Sequence, residues 1–270
     1  GATAAAAPPT PRMAFDLTFL GTGTSGGIPE ISCHCPVCES TDPRDKRLRT
    51  SGLLSQGGHH LLIDSSTDLR AQFLREGIDD LDGVCYTHLH ADHLLGLDDL
   101  RRITRANKKV LPLRLHPSHL PTLKRTFYYL FEERKQDGGG VVQVSLEPFE
   151  WYEAFPWRGL SIEPLLVRHG ILDISAFLVD GRLAWITDAS EIPAQTLERL
   201  RGVEVLVLNA LRFRPHPTHF SLEQALAIAE RVGARKTYFV HMCHDLGHGD
   251  VSKTLPGGVF LAFDGLRLSL

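Results

Sequence analysis

The chain has no apolar run approaching the ~18–20 residues that a membrane-spanning helix requires, so no membrane partner is expected. It also has no excess of one charge. Its 29 Lys and Arg stand against 32 Asp and Glu, a formal net charge of −3. That balance argues against a nucleic-acid surface driven by bulk charge. No long apolar core preceded by basic residues opens the sequence, so no secretion signal is read and a cytoplasmic protein is expected. The glycine run Gly21-Thr22-Gly23-Thr24-Ser25-Gly26 lacks the Lys-Ser/Thr ending of a nucleotide-phosphate loop. No Ser-His-Asp triad and no internal repeat is apparent. Residues 1–12 read as a disordered leader or a cloning remnant, and 13–270 as a single domain. At 270 residues and 43% hydrophobic, the chain can bury a full core without disulfide staples.

What the chain does have is metal-competent side chains. Thr87-His88-Leu89-His90-Ala91-Asp92-His93 follows the apolar run Val84-Cys85-Tyr86 and precedes Leu94-Leu95-Gly96-Leu97. On a locally extended backbone, residues two apart point the same way, so His88 and His90 suit one ion. Asp92 and His93 fall on the turn that follows and suit a second ion beside it. Further ligands are sought where strand-like runs stop on His or Asp. Residues 165–168 end on His169, 183–187 on Asp188, and 237–240 on His241.

A second cluster is Cys33-His34-Cys35-Pro36-Val37-Cys38. Three thiols this close cannot all pair as disulfides, and C-x-C-x-x-C spacing reads as a structural zinc site that needs a fourth ligand. His244, three residues after His241, is the expected partner, because one strand end would then serve both sites. His34, Cys243 and His248 compete for the role. The remaining cysteine, Cys85, lies in an apolar strand-like run.

The strand and aspartate Leu61-Leu62-Ile63-Asp64, the histidine run at 88–93, His169, Asp188 and His241 together resemble the metallo-β-lactamase fold superfamily of metallohydrolases. The resemblance runs from about residue 15 to the end. It implies an α/β fold, a four-layer αβ/βα sandwich with a dinuclear site at one edge. It also implies that His88, His90 and His169 hold one metal, that Asp92, His93 and His241 hold the other, and that Asp188 bridges them. Asp64 matches a position usually read as structural. True β-lactamases typically lack the bridging aspartate, so antibiotic hydrolysis is not expected. The glycine-rich opening at 20–29 and the Cys3His set are similar to the branch of phosphonate-pathway cyclic-phosphate phosphodiesterases, the PhnP type. Pyrroloquinoline quinone biosynthesis proteins share both features.

Pro217-Thr218-His219-Phe220-Ser221-Leu222-Glu223-Gln224 reads as a loop entering a helix, with Ser221 and Gln224 as a capping box. His219 would sit beside that helix N-terminus, where free N–H groups favour a phosphate. Its position matches the branch's non-ligand active-site histidine; His216 is the weaker candidate. The expected function is therefore hydrolysis of a small, cyclic or acyclic, phosphate diester through a metal-bridging hydroxide. Asp92, Asp188 and His219 are the catalytic residues in that reading. The cofactors are two divalent ions, Zn or Mn with Fe also acceptable, and one structural Zn. A homodimer would match the branch. The alternatives are another metallohydrolase on the same site (thioesterase, lactonase or tRNA-processing nuclease), or a role in quinone cofactor biosynthesis.

Strands are predicted near 15–20, 51–55, 59–64, 82–86, 111–116, 141–147, 160–167, 174–180, 183–187, 204–208, 236–241 and, in two pieces, 258–269. Helices are predicted over 67–76, 97–107, 118–135, 193–201 and 221–232. The aromatic segment 127–131 reads as core, pocket lining or dimer contact, with Gly138-Gly139-Gly140 behind it as a joint. Arg44, Lys46, Arg47, Arg49, Arg168, Arg212 and Arg214 are open to contact with a substrate phosphate.

Overall fold

The computed structural model describes residues 13–132 and 140–270. The leader 1–12, the end of the helix expected to reach 135, and Gly138-Gly139 lie outside the described residues. The chain first builds β1 (Asp16–Gly21), β2 (Ser51–Gln56), β3 (His59–Ile63), β4 (Gly83–Cys85), β5 (Leu111–Arg114) and β6 (Val144–Leu146). It then builds β7 (Phe155–Trp157), β8 (Leu160–His169), β9 (Leu172–Val179), β10 (Leu183–Ile186), β11 (Val205–Asn209), β12 (Lys236–Val240) and β13 (Val259–Leu261). The last strand, β14 (Arg267–Ser269), returns to the first sheet. The strand orders are β14-β1-β2-β3-β4-β5-β6 and β13-β12-β11-β10-β9-β8-β7.

Strand alternation sorts the apolar residues into three layers. Leu17 and Phe19 of β1, Trp185 of β10, Val207 of β11 and Val240 of β12 meet between the sheets. Their neighbours face outward. Leu20, Leu53 and Leu62 pack under α1 (Leu69–Glu76), α3 (Arg101–Ala106) and α4 (Leu120–Thr126). Ala184, Leu206 and Phe239 pack under α6 (Ala194–Leu200), α7 (Leu222–Val232) and α8 (His248–Ser252). Helix, sheet, sheet, helix is the αβ/βα sandwich that the resemblance implies. Among the described residues no helix is long and apolar enough to cross a membrane.

Two pieces of this layering place the site. Strands β3, β4 and β5 are mutually parallel, as are β10, β11 and β12. Their C-terminal ends therefore reach one edge of the sandwich, where ligand sites of parallel sheets form. At that edge, the 88–93 run continues from β4 into a one-turn helix, α2 (Ala91–Leu94), where only a turn was expected.

Other departures have local causes. The helix expected over 118–135 starts as a 3-10 turn at Pro117–His119 and breaks at Phe127, whose backbone leaves the helical region (φ −114°, ψ 46°). The break turns the Phe127 ring into the core under β5, and the chain resumes as α5 (Tyr128–Phe131). The helix expected over 97–107 is a 3-10 segment, Leu95–Leu100, before it becomes α3. Strand β7 and helix α8 were not foreseen; both are too short to show a period.

The sheets approach most closely where a Cβ on Gly52 of β2 would stand 2.8 Å from the Trp185 ring. Trp185 is fully buried, so the ring has nowhere to retreat. Gly52→Val is expected to cost about 1–3 kcal/mol by overpacking, read as a lower denaturant midpoint with an unchanged m-value. An unchanged midpoint would show that the gap between the sheets is plastic.

Candidate metal centre

Three of the side chains at this edge leave their strands on a left-handed residue. Asp64 after β3, Asp188 after β10 and His241 after β12 have φ of 62°, 59° and 56°. A non-glycine residue rarely adopts this conformation, and it persists where surrounding contacts over-determine it. For Asp64 those contacts are complete. Its buried carboxylate accepts the Thr87 N–H at 2.8 Å, the Thr87 hydroxyl at 2.7 Å and the His93 Nδ1–H at 2.8 Å. Because the Thr87 hydroxyl proton is committed to Asp64, Oγ1 accepts from His88 Nδ1–H, 3.1 Å away. Both imidazoles thereby turn Nε2, with its lone pair, toward the centre. His169 is oriented in the same way, through Nδ1–H donated to the Thr218 carbonyl at 2.8 Å.

Two donor sets result. In the first, the nitrogens of His88, His90 and His169 lie within 4.8 Å of one another. His88 Nε2 and His90 Nδ1 are 3.0 Å apart. In the second, Asp92, His93, Asp188 and His241 converge within the same limit, all of them buried. His93 Nε2 lies 3.1 Å from Asp92 Oδ2 and 3.2 Å from Asp188 Oδ1. It is nonetheless without a hydrogen-bond partner, because the groups point at a shared centre rather than at each other. Asp188 Oδ2 lies 3.1 Å from His241 Nε2 and 3.9 Å from His88 Nε2, between the two sets. Imidazoles and carboxylates converging on a point fit divalent cations.

The electrostatics agree with that fit. Burial alone would depress His93, but the carboxylates around it, Asp188 foremost, raise it well above the imidazole range. Burial opposes His241 too, yet Asp188 and Asp92 push it up to about 9. Burial alone would raise Asp92 and Asp188; the facing imidazoles hold both below the usual carboxylate range. In the metal-free centre His93 and His241 thus favour the imidazolium form beside the carboxylates, whereas burial holds His88 and His169 below the ordinary imidazole range.

His219 lines the same centre, with Nε2 3.1 Å from Asp188 Oδ2 and Nδ1 2.9 Å from Thr218 Oγ1. His169, Asp188 and His219 also converge within ligand range. The Ser221–Gln224 capping box is present as expected. It changes the reading of the helix terminus. The N–H groups of Ser221, Gln224 and Leu222 are taken by Gln224 Oε1, Ser221 Oγ and the Arg212 carbonyl. These donors are not available to a phosphate.

The cysteine loop lies beside this centre. Cys33, Cys35, Cys38 and His244 form a Cys3His cluster within the same 4.8 Å limit, with Cys33 Sγ 3.3 Å from His244 Nδ1. The competitors lie outside it. His34 turns to Glu39, Cys243 Sγ accepts from the Asp245 N–H, and His248 belongs to α8. The glycine run before it serves packing: a Cβ on Gly21 would stand 2.0 Å from the Arg49 carbonyl.

Of the basic residues left open to phosphate contact, several are engaged elsewhere in the fold. Arg47 is 1% exposed and binds Asp45 and the carbonyls of Cys243 and Leu246. Arg44 pairs with Asp42, Arg49 with Asp68, and Lys46 donates to the Cys38 carbonyl. Arg212 braces its own loop through the carbonyls of Arg214 and Pro215. Two site residues escaped the sequence reading. Thr87 was seen only as the first residue of the histidine run. Asn209, buried at the end of β11, binds both the N–H and the carbonyl of Ala189 and so fixes the turn that presents Asp188. A polar residue ending an apolar strand was its only signal.

A cation can displace the proton from an imidazole nitrogen only at a cost set by its pKa. Metal uptake at pH 7 should therefore release protons from His93 and His241. Its apparent affinity should climb by up to about tenfold per pH unit for each proton released, the His241 contribution levelling off near pH 9. Calorimetric titration in buffers of different ionisation enthalpy measures the release; zero release would show that both rings are already neutral. The metal-free fold should respond in the opposite sense. The raised pKa of His241 contributes stability below its ordinary 6.5, and that contribution is lost as the pH rises through about 9.

Comparison with known proteins places these features in a family. The sequence model described as the beta-lactamase superfamily domain matches residues 59–242. A diphosphatase of the PhnP family, known from its crystal structure, superposes with a TM-score of 0.89 at 42% identity, over 96% of this chain and 98% of that one. An octanoyltransferase of Porphyromonas gingivalis is 38% identical over 252 residues, 92% of this chain and 50% of that protein. The chain thus spans half the length of that relative. Coenzyme PQQ synthesis protein B of Methylobacterium nodulans is 26% identical over 224 residues, 71% of each. Zinc-bound PqqB of Methylobacterium extorquens shares the fold, with a TM-score of 0.77 at 20% identity over 94% of this chain and 100% of that one. The sandwich, the family match over most of the chain and the near-complete overlap at 42% identity agree: the chain belongs to the β-lactamase superfamily, as a metallo-β-lactamase-fold hydrolase of the PhnP-like branch.

Proposed function

We propose that this chain hydrolyses a diester bond of a small phosphate ester at a two-metal centre. The observation that carries the reading is the position of Asp188, one carboxylate between two histidine-rich donor sets. His88, His90 and His169 would hold one ion, Asp92, His93 and His241 the other, and Asp188 would be shared. Such ions supply charge that acidifies a water and offsets the charge on phosphoryl oxygens. The protein does the rest. Asp64, Thr87 and the Thr218 carbonyl fix the imidazoles, so no reorganisation is needed when substrate enters. His219 faces the centre from outside both sets and donates a proton to the departing oxygen. Burial lowers its pKa, although the Asp188 contact opposes this, and a bound phosphate beside it favours the imidazolium further. Cys33, Cys35, Cys38 and His244 would hold a structural zinc.

A diphosphatase among its relatives supports phosphate chemistry. Thioester hydrolysis is the second reading, favoured by the match to half of an octanoyltransferase. A panel of bis(p-nitrophenyl) phosphate, a cyclic nucleotide, an octanoyl thioester and a lactone separates these readings. Turnover confined to the thioester would sink the phosphodiester proposal. Metal binding without turnover of any of them would point to a non-hydrolytic role.

Asp188→Ala and His219→Ala should fail differently. Asp188→Ala is expected to lose metal and activity together, because the cations lose the carboxylate that offsets their repulsion. His219→Ala should retain metal and lose turnover by on the order of 10²–10⁴-fold on alkyl leaving groups, and less on p-nitrophenolate, which needs little protonation. Loss of metal from His219→Ala would make it a ligand instead. For the cysteine loop, Cys35→Ser should release zinc and lower Tm by about 5–10 °C, taking ~2–4 °C per kcal/mol for a domain of this size. Full zinc content and an unchanged Tm would exclude joint coordination by the three thiols.

A further inference from the structure

The segment that leaves β12 carries a ligand for each metal site. His241 belongs to the set with Asp92, His93 and Asp188, and His244 to the set with Cys33, Cys35 and Cys38. Its first residues are fixed by backbone pairs. Met242 N–H donates to the Thr22 carbonyl and its own carbonyl accepts the Thr24 N–H, both at 3.1 Å, and Cys243 N–H donates to the Leu211 carbonyl at 2.9 Å. The carbonyls of Cys243 and Leu246 turn to a side chain instead. Arg47 Nη1 donates to Cys243 at 3.0 Å, and Nη2 donates to Leu246.

Arg47 also holds the other site. Its backbone exchanges both hydrogen bonds with Ile28, each at 2.8 Å. Ile28 lies at the entry to the cysteine loop, where Cys33 N–H donates to the Glu30 carbonyl and Glu30 N–H to Cys38 Sγ. The neighbouring Lys46 ammonium donates to the Cys38 carbonyl at 3.0 Å. Arg47 is thus fastened to the cysteine side by its backbone and to the histidine side by its guanidinium. It has little room to shift. It is 1% exposed, Asp45 Oδ1 accepts its Nη2–H at 3.1 Å, and a Cβ on Gly23 would stand 2.7 Å from its carbonyl. Asp45 Oδ1 also accepts the His248 N–H at 2.8 Å, so the carboxylate is fixed too. Burying a guanidinium costs solvation that a packed apolar side chain would not. Its planar fork reaches both carbonyls and the carboxylate at once, which a lysine ammonium cannot do.

We propose that Arg47 is a positioning residue that couples the two metal sites: order in the cysteine loop passes through its guanidinium to the segment that aims His241. The inference rests on zinc at the Cys3His set and on His241 as a ligand of the second catalytic ion. His241 sits on left-handed backbone, φ 56°, a conformation held by its surroundings. The aim of its Nε2 therefore depends on the segment that follows. Zinc at Cys33, Cys35, Cys38 and His244 would fix that segment at His244, and Arg47 fixes it on either side, at Cys243 and Leu246. Such coupling is reciprocal, so each site changes the affinity of the other by the same factor. The set of His88, His90 and His169 takes no ligand from this segment, so the effect belongs to the other catalytic position.

The test is a double-mutant cycle on the full chain, read by cobalt(II) binding. Thiolate-to-cobalt absorption separates the cysteine site from the catalytic pair, and affinities are measured by competition with a chelator. Cys35→Ser should weaken cobalt at one of the two catalytic positions by roughly fivefold or more. Arg47→Lys should weaken the same position by a similar factor and shift its d–d bands, with a native circular dichroism spectrum. In the Arg47→Lys background, adding Cys35→Ser should change that affinity by less than about twofold, because the link is already cut. Asp45→Asn keeps an acceptor for the His248 N–H but removes the charge facing the guanidinium. It should give a smaller effect of the same sign, and it carries the cycle if Arg47→Lys does not fold. An additive cycle, or a lowered Tm in Arg47→Lys with wild-type cobalt affinity and spectrum, would reduce Arg47 to packing and overturn the proposal. If the coupling is found and no phosphate ester is cleaved, the phosphodiester reading fails and the link stands. If diesters are cleaved and the cycle is additive, the link fails and the function stands.

Discussion

The buried carboxylate of Asp64 is the interaction on which the rest of the centre depends. It is removed from solvent, holds no catalytic position of its own, and accepts three donors from Thr87 and His93. Burial works against its ionised form and raises its pKa, so the carboxylate persists only while those donors stay in place. The dependence is mutual. Without Asp64, the Thr87 hydroxyl has no fixed direction, His88 loses its fixed tautomer, and His93 is free to rotate about its own axis. One residue at the end of β3 thereby sets the aim of one imidazole in each donor set.

The same logic recurs at the other strand ends, each time with a partner distant in sequence. Asn209 at the end of β11 holds the turn after β10, and the Thr218 carbonyl, in the loop before α7, holds the imidazole that ends β8. Left-handed backbone at Asp64, Asp188 and His241 costs on the order of 1–3 kcal/mol each. The cost is offset by these cross-strand bonds and by a sandwich whose three apolar layers leave the strand ends little freedom to relax. The result is a cluster of like ring systems and carboxylates that would repel or pair off in water but is held open toward a common point.

The segment after β12 joins the centre to the cysteine loop. His241 belongs to one, His244 to the other, and Met242 between them pairs with Thr22 and Thr24 of the glycine-rich opening. Arg47 spans the junction from below, with its guanidinium on the carbonyls of Cys243 and Leu246. The arrangement couples the cysteine cluster to the centre through a shared backbone segment. Ordering the cysteine loop orders the backbone that carries His241.

The kinds of side chain, and the strands that bear them, were legible in the sequence. Spacing alone put His88 and His90 on one side of an extended backbone, and strand-like runs stopping on His169, Asp188 and His241 marked three ends. The cysteine spacing demanded a fourth ligand, and Ser221 with Gln224 marked a helix start. These are local rules, in which a residue's direction follows from its neighbours a few positions away. Short elements such as β7 and α8 showed no period and were missed, and the helix at 118–135 read as continuous because the force that breaks it at Phe127 is burial against another layer. The fate of the arginines was invisible for the same reason. Arg47 reads like any surface cation until Asp45 and two distant carbonyls enclose it. Tertiary structure alone decided which nitrogen each histidine presents, that Asp188 stands between two donor sets, and that the cap of α7 uses up N–H groups a phosphate might have taken. Each of these depends on atoms brought together from residues far apart in the chain, and a desolvated polar group is defined by the partners it meets there rather than by its neighbours in sequence.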